Sequence, residues 1–315
     1  MVFLKSLILL VLVSACGPSG PASRNTIKQK IDNGAANQIP APKDDLPITP
    51  GPCPKHPVMF LHGLMGGSKT SFAGVIKHFQ GLGCKVTLPD VSAVNSTELR
   101  ATQVADKLKQ FLSSTSSNKV NIVAHSQGGL DARYALSKLG MGRSVASLSM
   151  LSTPNYGSPL ADLVLKDLGN PLSKIFLSFA FNSLSGVSNT DGGKNNDSTS
   201  AMRALSTAYM RETFNPNTPD VTGVLYQSWA GRTGPGTKDR NKSTLTLTQG
   251  FVAKQAGEND GIVSVASARW GEFKGVLDAD HLDLGGTKMG DGGADQFEHI
   301  KFLEQLLQDL RAKGL

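Results

Sequence analysis

Residues Lys119 to Arg133 read K-V-N-I-V-A-H-S-Q-G-G-L-D-A-R, and no other stretch of the chain limits its fold so narrowly. Val120 to Ala124 is a short apolar run with β-branched residues, which predicts a buried strand. Gly128 and Gly129 follow at once. Leu130, Tyr134, Leu136 and Leu139 then begin a helical pattern that stops at Gly140. A strand that turns straight into a helix around one serine needs small residues on both sides of it. Here they are Ala124 and Gly128, with alanine where a first glycine is usual. Such a nucleophile elbow lifts the Ser126 hydroxyl above the sheet. It also aims the N–H of Gln127, at the start of a helix, at the space beside that hydroxyl. Small-x-Ser-x-Gly strings also arise by chance, so the rest of the chain must supply a base, an orienting acid and a second N–H donor.

The 315 residues leave room for one large α/β domain or two small ones. A net charge of +7 is modest and spread out, without Lys/Arg blocks interleaved with aromatics, so nucleic acid is excluded as a partner. Residues 1–15 have the form of a secretory signal: Lys5, then an apolar run Leu7 to Val13 that is too short to span a bilayer. The segment ends V-S-A-C-G, which resembles a bacterial lipobox. That resemblance makes Cys16 a lipidated first residue, with Gly17 favouring the outer membrane; plain cleavage after Ala15 is the alternative. Residues 16–52 are poor in apolar side chains and read as a tether between the lipid and the domain. The expected location is therefore exported and held at a membrane or the cell surface. Cys53 and Cys84 remain, each just before an expected strand. Parallel neighbouring strands would bring them to one end of the sheet, where a disulfide fits.

From residue 53 to 315 strands alternate with helices, the pattern of βαβ units on a mostly parallel sheet. Strands are expected at Pro57 to Leu61, Lys85 to Leu88, Val120 to Ala124, Val145 to Leu151 and Val224 to Trp229. In such sheets the chemistry sits at the carboxyl ends of the strands. Between 159 and 220 the alternation stops, and a mainly helical insertion takes its place. It reads as a lid over the serine, or as extra core packing.

A serine hydroxyl needs a base within hydrogen-bond reach, and the base needs an acid to fix its tautomer. In this fold the order along the chain is Ser, acid, His. His281 and His299 follow Ser126. His299 lies in an apolar-striped closing helix and reads as a surface residue; His281, in a loop after a strand, is the expected base. Asp260 in N-D-G, after a strand-like stretch from Phe251, is the expected acid. Asp278, Asp280 and Asp283 are too close to His281 in sequence to orient it across the site. Oxyanion donors are expected at Gln127 N–H and at Leu64 N–H in H-G-L-M-G-G. His62 is expected to brace that loop, and His125 to point away from Ser126.

Taken together, F-L-H-G-L-M-G, K-V-N-I-V-A-H-S-Q-G-G-L-D-A-R-Y, S-T-P-N-Y-G-S-P-L-A-D, A-L-S-T-A-Y, Y-Q-S-W-A-G, S-T-L, E-N-D-G-I-V-S and D-H-L-D resemble the family I bacterial true lipases of the pseudomonad type. The resemblance runs in family order from about Val58 to Asp283. It implies an α/β-hydrolase fold with a helical lid, and hydrolysis of acylglycerol esters at a lipid–water interface. No cofactor is implied for the chemistry. Residue by residue, Ser126 matches the nucleophile, Asp260 the acid, His281 the base, and Leu64 and Gln127 the oxyanion donors. The family's structural calcium ion is only partly matched. Asp283 corresponds to one aspartate, Asn241 replaces another with Asp239 nearby, and Thr287 stands for a glutamine, whereas calcium takes six or more oxygens. A folding chaperone is a further partner that the resemblance leaves open. The competing readings are an esterase or phospholipase with the same machinery, and a non-catalytic surface lipoprotein.

Overall fold

The computed structural model describes residues 53–184, 196–237, 245–287 and 297–315, with backbone alone for 178–184. The expectations for the signal segment, Cys16, the tether and Asp239 lie outside the described residues.

Six strands form one sheet: β1 (Val58–Leu61), β2 (Val86–Thr87), β3 (Val120–His125), β4 (Val145–Leu151), β5 (Leu225–Arg232) and β6 (Glu272–Asp278). Their order is β2-β1-β3-β4-β5-β6, and every adjacent pair is parallel. β1, β3 and β4 are buried at every position because both faces of the sheet are covered, and successive side chains go to opposite layers; polar residues among them are paired, as where the Ser147 hydroxyl donates to Asn121 Oδ1 at 2.8 Å. Met59, Leu61, Ile122, Ala124, Leu148 and Met150 face helices α2 (Thr97–Thr115) and α3 (Gln127–Lys138). Val58, Phe60, Val123, Leu151 and Trp229 face the other way. They meet Val75 and Phe79 of α1 (Val75–Gly81) and Leu303, Leu306, Leu307 and Leu310 of the closing helix His299–Ala312.

Helix α2 starts at Ser96, whose hydroxyl accepts the Leu99 N–H at 3.3 Å. Ser96 is therefore the cap. Cys53 and Cys84 are joined in a disulfide with Cα atoms 5.2 Å apart. The pairing of Val58 with Val86 brings the two cysteines to the same end of the sheet.

Between β4 and β5 the chain forms α4 (Pro159–Lys166), α5 (Pro171–Leu184), α6 (Ser198–Ala204) and a helical stretch from Thr207 to Asn217. Leu160, Val164, Phe176, Met202, Leu205 and Phe214 pack together and against Leu130 of α3. The insertion thus has its own apolar core, continuous with the domain beneath it.

One expectation is overturned here. The strand-like stretch from Phe251 belongs to a helix, Thr246–Ala256, with Val252 fully buried and Gly257 at φ 80° just past its end. The strand expected before His281 is β6, which follows Asp260. Its start was hard to place because it lies at the sheet edge and carries Glu272 and Lys274, so only Gly275 is buried.

Candidate active site

The serine turn begins where β3 ends. Ser126 has φ 53° and ψ −130°, a strained backbone that persists only where its surroundings fix it. Ser126 N–H donates to the Leu151 carbonyl at 3.0 Å. A Cβ on Gly128 would lie 2.7 Å from the His62 carbonyl oxygen and 2.9 Å from that of Leu61, so α3 can meet the β1 loop only through a glycine. Gly63 is equally confined: a Cβ there would stand 2.6 Å from the Ser126 Cβ.

Three side chains from separate loops converge on this turn. The Ser126 Oγ lies 3.0 Å from His281 Nε2, and His281 Nδ1 lies 2.7 Å from an Asp260 carboxylate oxygen. A proton on Nδ1, facing the carboxylate, leaves Nε2 free to accept from the serine hydroxyl. The other Asp260 oxygen accepts the N–H of Ile262 at 3.0 Å and of Val263 at 2.7 Å, and the His281 N–H donates to the Asp260 carbonyl at 2.9 Å. Asp260 is fully buried, and Ser126 and His281 nearly so. His281 is the first residue of a single turn, His281–Leu284. Asp280 caps that turn, accepting the N–H of Leu282 and of Asp283 at 2.8 Å each.

Gln127 opens α3, so its N–H has no acceptor within the helix. The Leu64 N–H takes no backbone acceptor among the described residues, while its neighbours Met65 and Gly66 donate to Ala93 and Gly63. The loop is held from behind. His62 Nδ1–H donates to the Gly63 carbonyl at 2.9 Å, and its Nε2 accepts the Val91 N–H at 3.3 Å. Burial first, and then Arg100, lower the His62 pKa to about 4, so this brace is a neutral ring. Arg100 donates to the His62 carbonyl at 3.0 Å and to Asp131 at 2.8 Å, both side chains having no exposed surface. This buried pair ties the loop to the helix that follows the serine.

Above Ser126 opens a pocket of about 920 Å³, the open solvent at its mouth included. Leu64, Ala161, Phe176, Leu205, Leu245 and Ile262 supply its apolar wall. Two histidines have neighbours the sequence did not suggest. His299 is half-buried rather than on the surface, its ring 5.7 Å from that of Phe72, and desolvation lowers its pKa to about 4. His125 lies against His281, ring centroids 4.6 Å apart. Neither was legible in the sequence, because helix periodicity and strand alternation do not say what packs against an end.

Of the calcium positions that the resemblance suggested, Asp283 and Thr287 lie among the described residues, and Asp239 and Asn241 do not. Asp283 accepts the Asp280 N–H at 3.4 Å in a reciprocal cap, and no group of three carboxylate, histidine or cysteine side chains among the described residues could hold a metal ion.

Comparison with known proteins adds the family. Residues 56–185 match the family model for the alpha/beta hydrolase fold. Triacylglycerol lipases of Pseudarthrobacter phenanthrenivorans and Burkholderia plantarii are each 28% identical over 83% of this chain, covering 98% and 87% of those proteins. A solved structure of a Bacillus licheniformis lipase in its mature form superposes with a TM-score of 0.58 at 25% identity, over 73% of this chain and 86% of that one. The chain thus has the α/β-hydrolase fold and is similar over most of its length to bacterial triacylglycerol lipases.

Proposed function

We propose that this protein is a serine hydrolase that cleaves carboxylic esters of lipids through an acyl-enzyme. The observation that carries the reading is the relay of 3.0 Å and 2.7 Å from Ser126 through His281 to Asp260, opening on an apolar pocket. Ser126 Oγ attacks the ester carbonyl carbon while its proton passes to His281 Nε2. Charge on the carbonyl oxygen is met by the N–H groups of Leu64 and Gln127. Collapse expels the alcohol, which takes the proton from His281, and leaves an acyl group on Ser126. Water then attacks, gives its proton to His281, and the serine is restored as the carboxylic acid leaves.

The insertion at 159–220 serves in this reading as a lid. Ala161, Phe176 and Leu205 contribute to the pocket wall, while Leu165 and Leu168 are exposed on the same insertion. Those side chains suit contact with lipid. Attachment through a lipid on Cys16 would keep the domain at a membrane surface, a reading supported by the lipobox-like V-S-A-C-G alone.

Ser126→Ala is expected to lower hydrolysis of p-nitrophenyl esters by at least about 10⁴-fold while the thermal transition persists. Turnover that survives the substitution would overturn the assignment. Emulsified triacylglycerol, phospholipid vesicles and short soluble esters, compared at equal enzyme, separate a lipase from a phospholipase and from a simple esterase. The expected preference is for the first.

A further inference from the structure

The residue just before the serine does more than fill the end of β3. His125 is buried, and its ring meets the His281 ring at 4.6 Å between centroids, tilted by 50°. The same ring touches the chain that follows His281: a Cβ on Gly285 would lie 2.8 Å from His125 Cε1 and 2.9 Å from its Nδ1. Gly285 is in turn pinned from the other side, where its carbonyl accepts the Phe72 N–H at 2.7 Å. The imidazole of His281 therefore cannot tilt toward the sheet without meeting His125, and its loop cannot sink without meeting the same ring.

The polar contact that His125 makes is to the same residue: its ring donates to the His281 backbone carbonyl. Its Nε2 is buried without a hydrogen-bond partner among the described residues. Burial, and then the neighbouring His281, hold its pKa well below 6.5, with the His281 backbone carbonyl partly offsetting this. At neutral pH it is an uncharged aromatic wedge, and that is what a base about to become an imidazolium can tolerate at van der Waals distance. A second cation in that place would oppose proton uptake by His281.

We propose that His125 is a positioning residue for His281, a neutral ring that fixes the angle at which the base meets Ser126. The proposal rests on the hydrolase reading above. A base misplaced by about 1 Å can cost on the order of 10²-fold in rate, so the gap left by a smaller side chain should be felt in turnover.

The test uses the folded domain, p-nitrophenyl butyrate and an uncharged fluorophosphonate that titrates reactive sites. In His125→Ala, kcat per titrated site is expected to fall about 10- to 100-fold, with KM within about threefold of the parent. In His125→Phe, which keeps a neutral aromatic ring, kcat per site is expected to recover to within about fivefold. Counting sites separates slow centres from a smaller number of intact ones. The proposal is overturned if the alanine variant keeps its kcat per site, if its loss lies wholly in the number of sites, or if the phenylalanine variant is as slow as the alanine one. A parent protein that neither reacts with the probe nor turns over ester would instead defeat the hydrolase reading.

Discussion

At the scale of single residues, the site is built from places where a side chain is forbidden. Gly128 is the clearest, because its missing Cβ faces two backbone carbonyls, those of Leu61 and His62, and neither can swing aside as a side chain could. Gly128→Ala must push the oxyanion loop away from Ser126. Its expected effect is a drop of about 10²-fold in kcat/KM, falling on kcat, as measured with a soluble ester. Gly250 gives the contrast: it sits inside the helix Thr246–Ala256, with nothing within 4 Å of an added Cβ and no positive φ. Gly250→Ala is expected to leave kcat/KM alone and to stabilise by about 0.5–1 kcal/mol, read as a higher denaturation midpoint. The sequence carried the first of these meanings openly, since a glycine two places after the serine is part of the turn. It did not carry the roles of His125 and His299. Both depend on which ring ends up beside which loop, and that is settled by tertiary contact between segments far apart in the chain.

At the scale of elements, the central strands were legible because a parallel strand covered on both faces is mostly apolar, as β1, β3 and β4 are, with Asn121, Ser147 and Ser149 tolerated inside through hydrogen bonds across the sheet. The start of edge strand β6 and the helix before Asp260 were not, for opposite reasons. The strand is polar because it is half open, and the helix segment Phe251–Val252–Ala253 is apolar in succession, which imitates a strand. The disulfide belongs to this scale as well. It links the approaches to β1 and β2, and β2 is an edge strand of two residues with little to hold it besides β1. Closing a loop across a sequence separation of 31 residues is worth about 3–4 kcal/mol in the chain-entropy view. Cys84→Ser is accordingly expected to lower unfolding stability by about that much in urea. Ester turnover at temperatures well below the transition should be kept, because the bridge lies at the end of the sheet away from Ser126. A variant as stable as its parent would mean that the bridge constrains nothing the sheet does not already fix.

At the scale of the whole molecule, the fold buries ionisable groups that have little to gain from charge, and this sets how the protein answers acid. His62 and His299 each have a folded pKa of about 4, lowered chiefly by burial from 6.5. As pH falls from 7, the unfolded chain binds protons at these two positions before the folded protein does, so stability drops through the window between about 6.5 and 4. Each histidine contributes a loss of about 2 kcal/mol by pH 5. Asp131 works the other way. Burial raises its pKa against the pull of Arg100, so protonation of this carboxyl favours the folded state as pH falls. The observed slope is the sum, and the two histidines outweigh the one aspartate only if each behaves as its burial dictates. His299 can be tested alone, since neither of its ring nitrogens has a hydrogen-bond partner among the described residues and an apolar side chain forfeits no polar contact there. In His299→Leu, the fall in urea-unfolding free energy between pH 7 and pH 5 is expected to shrink by about 2 kcal/mol relative to the parent. An unchanged fall would show that this imidazole takes up its proton in the folded protein as readily as in water, and that its burial does not reach the charge.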